Sequence, residues 1–131
     1  MKLSPITSIV YTALTMSLLL SSIFDIHTVS GNSMSPVLSD NDKVFVFRWA
    51  YGLQPPFFHR YIVQWGDIQE GDILVLKEPE FNTRVIKRCA EVSREDGTVF
   101  VLGDNGAKSR DSRHYGSVDI QQIEGKVVTL P

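Results

Sequence analysis

The sequence predicts a mostly β protein: an N-terminal transmembrane helix followed by a small antiparallel sheet or partial barrel. Three observations carry this. Only one long stretch of the 131-residue chain lacks charge, the 22 residues between Lys2 and Asp25, LSPITSIVYTALTMSLLLSSIF. After it, apolar residues come in short runs of Val, Ile and Phe and not in helical stripes. Polar clusters with turn chemistry, SDND, QEGD, REDGT and GDNG, bound those runs.

The charge-free run would reach roughly 33 Å as a helix, against a hydrocarbon core of about 30 Å. Eight of its residues are Ser or Thr, whose hydroxyls can bond back to the preceding helical turn. A cleaved secretory signal is the alternative, but its apolar core is shorter and follows more basic charge. Lys2 precedes the span and Asp25 follows it, so the positive-inside bias puts the N-terminus in the cytoplasm. The expected organisation is an anchor over residues 1–26 and an extracytoplasmic β-rich domain over 27–131. Strands are expected at KVFVF (43–47), DILVLK (72–77), RVIKRCA (84–90), TVFVLG (98–103) and GKVVTL (125–130). Residues 47–66 hold eight aromatic rings, counting His59, around Pro55-Pro56. A strand pair with a long turn would bury some of these rings, and others suit a lipid interface.

A net charge of −2 and a pI near 5.9 argue against a nucleic-acid surface, which is normally basic. One cysteine, Cys89, permits no intrachain disulfide.

The segment VSGNSMSP (29–36) reads as a turn, and Ser33 within it is a nucleophile only if a base takes its proton. His27, His59 and His114 have no carboxylate at triad-like spacing. Lys87 is the better base. Strand alternation puts it on one face with Val85 and Cys89, where an apolar neighbour and a thiol desolvate the ammonium and lower its pKa. Bringing a lysine to about 7 takes roughly 4–5 kcal/mol of differential solvation, which demands a dry site. In the loop GDNGAKSRDSRHYG (103–116), Ser109 could accept a hydrogen bond from Lys87, and Asp111 could pair with Arg113.

Together these stretches resemble the type I signal peptidases, membrane-anchored Ser/Lys proteases. Ser33-Met34-Ser35-Pro36 matches the family's Ser-Met-x-Pro, and Gly71-Asp72-Ile73 and Lys87-Arg88 match its base strands. Gly103-Asp104-Asn105, Ser109, Asp111-Ser112-Arg113 and Gly116 match its last motif. WAYGL (49–53) also looks like the family's intervening segment. The resemblance implies the β fold of signal peptidases and repressor-type proteases. It makes Ser33 the nucleophile and Lys87 the general base, with Ser109 orienting the lysine. Asp111 and Arg113 would be supports and Met34 would pack beneath the nucleophile. Gly31 stands where some members have an oxyanion serine, so main-chain N–H groups, Ser33's own first, would hold the oxyanion. Gly106 replaces a frequent arginine, and the short Arg88–Gly103 interval marks a minimal form.

The implied activity is endoproteolysis of secretory preproteins after Ala-x-Ala-like sites, needing no metal or organic cofactor. Expected partners are signal peptides and membrane lipid, not nucleic acid, for a monomer near the secretion translocon. The expected location is the bacterial cytoplasmic membrane, single-pass, with the catalytic domain outside. Mitochondrial inner-membrane peptidases share these motifs, but the chain lacks an Arg-rich leader. Self-cleaving repressor-type proteases share the Ser-Met and lysine strands without an anchor. An inactive membrane-tethered β-domain that only binds signal peptides is the reading from another class.

Overall fold

A computed structural model describes residues 2–55, 57, 58 and 60–128. His59 and the end of the last apolar run, residues 129–131, lie outside the described residues.

The charge-free run is helical over α1, Pro5–Ile23. Ser4 caps it by accepting the Thr7 N–H, and Pro5 occupies the first turn, where a missing N–H costs nothing. Its 19 residues reach about 28 Å, close to the thickness of a bilayer core. The hydroxyls bond back as anticipated: Thr12 Oγ1 donates to Ser8 O at 2.9 Å and Ser22 Oγ to Leu19 O at 2.7 Å. α1 buries none of its residues against the rest of the protein, as suits a helix whose partner is lipid.

α1 passes directly into β1, Phe24–Thr28, a strand the apolar runs do not reveal because its start belongs to the charge-free stretch. Then come β2 (Lys43–Phe47), β3 (Gly52–Leu53), β4 (Val63–Gln64), β5 (Ile73–Lys77), β6 (Arg84–Ser93) and β7 (Thr98–Leu102). The short helix α2 (Ser112–Tyr115), β8 (Val118–Asp119) and β9 (Ile123–Val128) complete the described chain. All five expected strands are present. Seven strands form one curled antiparallel sheet in the order β1-β2-β9-β5-β6-β7-β8. β3 and β4 pair separately, giving the aromatic stretch its strand pair and long turn.

β5 lies inside the sheet and is apolar at four consecutive positions, because both of its faces are covered. Leu74 and Leu76 pack with Tyr51, Ile68, Val99, Val101 and Ile123. Ile73 and Val75 pack with Val29, Met34, Leu38, Val44 and Val46. Asp72 joins the aromatic stretch to β9, accepting Tyr51 Oη and Lys126 Nζ, each at 2.7 Å. The aromatic stretch divides: Tyr51 is buried and Tyr61 half-buried, while Phe57 (93% exposed), Phe58 and Trp65 face outward.

Candidate active site

Ser33 lies in the loop between β1 and β2. The loop is closed at its base by Val29 N–H donating to Asp42 O and Asn41 N–H to Val29 O. Gly31 takes a positive φ of 83°, a conformation glycine adopts without strain, and donates its N–H to Asp40 Oδ1 at 2.7 Å. Val29, Met34 and Leu38 sink into the core and leave Ser33 half-exposed above them. Met34, 1% exposed, thus packs below the loop as expected. The Ser33 N–H finds no acceptor among the described residues.

Lys87 lies within β6, cross-strand from Leu74, and is only 3% exposed. Val85 and Ile86 before it pack against the two separate core clusters. Burial holds the amine below the ordinary lysine range, and the Asp111 and Glu78 carboxylates pull the other way. Ser33 and Lys87 line the same cavity, about 320 Å³, with Val29, Met34, Val75 and Ile86 among its apolar walls.

The loop after β7 holds the site together, and Asp111 is its centre. Its Oδ2 accepts Ser109 Oγ at 2.8 Å, Gly103 N–H at 2.9 Å and Arg113 Nη2 at 2.7 Å. Its Oδ1 accepts Arg113 Nε at 2.9 Å. Burial alone would raise the Asp111 carboxyl, but the Arg113 guanidinium, Gly103 N–H and Ser109 hydroxyl outweigh it and hold it well below the carboxylate range. The anticipated Asp111–Arg113 pair is therefore formed. Ser109 donates its proton to Asp111 and makes no bond to Lys87 among the described residues; its oxygen keeps lone pairs to accept one. Arg113 Nη2 also donates to Gly106 O at 3.3 Å, so an arginine does reach the place where the chain itself has glycine.

Three contacts explain motif residues to which the sequence assigned no task. Arg88 grips Asp104 with a two-pronged bond, both arms at 2.7 Å. Asn105 holds the serine loop, donating its N–H to Ser33 O at 2.8 Å and its side-chain amide to Asn32 O at 3.1 Å. Gly103 is wedged between them: a Cβ there would overlap the Ser109 side chain and lie 2.6 Å from Ser33 O. Gly103→Ala should cost on the order of 1–3 kcal/mol by overpacking, read as a lowered Tm with an unchanged far-UV spectrum.

Of the histidines, His27 also lines the cavity. Its Nε2 sits 3.2 Å from Asp25 Oδ2, so the carboxylate that sequence spacing did not reveal is two residues back on β1. His114 lies in α2, within its capping box with Asp111, and does not line this cavity.

A helix-anchored antiparallel sheet with a serine and a buried lysine on one cavity has the parts of a serine peptidase that uses an amine where others use imidazole. The chain belongs to the signal peptidase, peptidase S26, family, whose pattern it matches over residues 3–95 and 91–130. It is 33% identical over 101 residues to signal peptidase I of Pseudomonas aeruginosa, covering 75% of this chain and 32% of that protein. Similarity to signal peptidase I of Pseudomonas fluorescens is 26% over 104 residues, covering 72% and 37%. Subunit 2 of the mitochondrial inner membrane protease of Schizosaccharomyces pombe is 24% identical over 131 residues, covering 82% and 64%. The chain spans about a third of the length of these two bacterial relatives.

Proposed function

We propose that this chain is a membrane-anchored endopeptidase that removes signal peptides from secretory preproteins. The observation that carries this is the shared cavity of Ser33 and Lys87, in a chain of the signal peptidase family. Lys87, in the neutral form that desolvation favours, takes the Ser33 proton as Oγ attacks the scissile carbonyl. The carbonyl oxygen becomes an oxyanion facing the Ser33 N–H, and the lysine then passes its proton to the departing amine. Water, deprotonated by the same amine, releases the acyl group from Ser33. Ser109, fixed by Asp111, offers a free lone pair that would accept a hydrogen bond from Lys87 and aim it during the reaction. The apolar part of the wall, Val29, Met34, Val75 and Ile86, suits Ala-like side chains before the cut.

Residues 1–26 anchor the chain and 27–131 form the catalytic domain. Lys2 before the helix and Asp25 after it favour a cytoplasmic N-terminus and a catalytic domain on the outer face of a bacterial membrane. Substrates are presented there as a monomer's partners, beside lipid and the secretion translocon. The purified chain should convert a model secretory precursor to its mature form on a gel, and Ser33→Ala should leave the precursor intact. Equal conversion by Ser33→Ala would sink this reading.

A further inference from the structure

The cavity that Ser33 lines also carries an ion pair that the reaction above does not use. Glu78, just past β5, is buried. Its Oε1 accepts Arg110 Nε at 2.7 Å and its Oε2 accepts Thr83 Oγ1 at 3.3 Å. Arg110 reaches it from the loop that also carries Ser109 and Asp111. The guanidinium is held on two further sides, by the Glu80 carboxylate and by the Phe81 ring 5.1 Å away. Glu78, Arg110 and Lys87 line one cavity.

The charged groups around Lys87 come from four elements. β1 supplies His27, paired with Asp25; the turn after β5 supplies Glu78; β6 supplies Arg84, paired with Glu124; the loop after β7 supplies Arg110 and Asp111. Both carboxylates that act on the lysine, Asp111 and Glu78, carry an arginine of their own, Arg113 and Arg110. An unpaired carboxylate in this wall would stabilise the ammonium and remove the free amine a base requires.

We propose that Arg110 is a positioning residue for the dyad: by occupying Glu78 it keeps that carboxylate from capturing Lys87. This rests on the Ser33–Lys87 reading. Arg110 touches no reacting atom and acts through Glu78 alone.

The test is the pH profile of kcat/KM for precursor cleavage by the full chain in detergent micelles, with folding checked by Tm. In Arg110→Ala the acid limb should move up by about one unit, with activity recovered at high pH. Glu78→Gln should move it down, and the double variant should return it close to wild type. Arg110→Lys, which keeps the charge, should stay near wild type. The proposal is overturned if Arg110→Ala loses activity equally at every pH, or if the double variant keeps the Arg110→Ala limb. Should Arg110→Ala not fold, an unmoved limb in Glu78→Gln overturns it alone. Activity remaining in Lys87→Ala would instead bring down the dyad reading beneath it.

Discussion

Lys87→Ala is expected to lose precursor cleavage by roughly 10⁴-fold or more, because removing one member of a nucleophile–base unit costs nearly as much as removing both. Ser33→Ala should lose as much, and the double variant little more. The fold should survive Lys87→Ala: an apolar side chain at a position 3% exposed relieves a desolvated amine. In the wild type, activity should rise with pH along one ionisation below the ordinary lysine range. Only the neutral amine accepts a proton, and burial lowers the pH at which it becomes neutral. The cavity holds a rival base, His27, with Asp25 at 3.2 Å. Cleavage that persists in Lys87→Ala and disappears in His27→Ala would transfer the role.

Asp111→Ala should be the most destabilising single substitution in the site, by about 2–4 kcal/mol for the buried donors it leaves unpaired. The carboxylate is fully buried and gathers bonds from Gly103, Ser109 and Arg113. Its loss leaves the buried Ser109 hydroxyl and the Gly103 N–H without their acceptor, while Arg113, 44% exposed, turns to water. In a domain of this size the Tm should fall by roughly 15–25 °C, measured by thermal unfolding at neutral pH. The same carboxylate sets an acid dependence. Its folded pKa lies below its unfolded value, so as pH falls the unfolded chain takes up the proton first. The stability it contributes is complete above about pH 5 and drains away as pH falls through the ordinary carboxylate range towards the folded value. Asp111→Asn should flatten that part of the Tm-against-pH curve; an unchanged slope would place the acid sensitivity elsewhere.

Much of this architecture is legible in the chain. The unbroken Ile73-Leu74-Val75-Leu76 run announces a strand covered on both faces, and the sheet places β5 inside. Alternation in β6 puts Lys87 among buried residues, as found. β1 is hidden because its first residue closes the charge-free run, and β8 because two residues carry no pattern. The site's principal groups are legible as short motifs; the clamps between them are not. Asn105 reaches Asn32 across 73 positions, Arg110 reaches Glu78 across 32 and Arg88 reaches Asp104 across 16. Such pairs depend on how strands curl past one another, which no local propensity encodes. His27 and Asp25 are close in sequence, but nothing short of the sheet shows that His27 faces the cavity with Asp25 beside it.

No slack separates the membrane helix from the sheet. Ile23 ends the helix, Phe24 begins a strand paired to Phe47, and the next residue, Arg48, donates its N–H back to Ile23 O at 2.8 Å. A single five-residue strand, roughly 17 Å when extended, therefore works as a ruler. On the proposed reading it would set the cavity's standoff from a bilayer spanned by the helix, so that a polypeptide still threaded through that bilayer would meet Ser33 after a set count of residues.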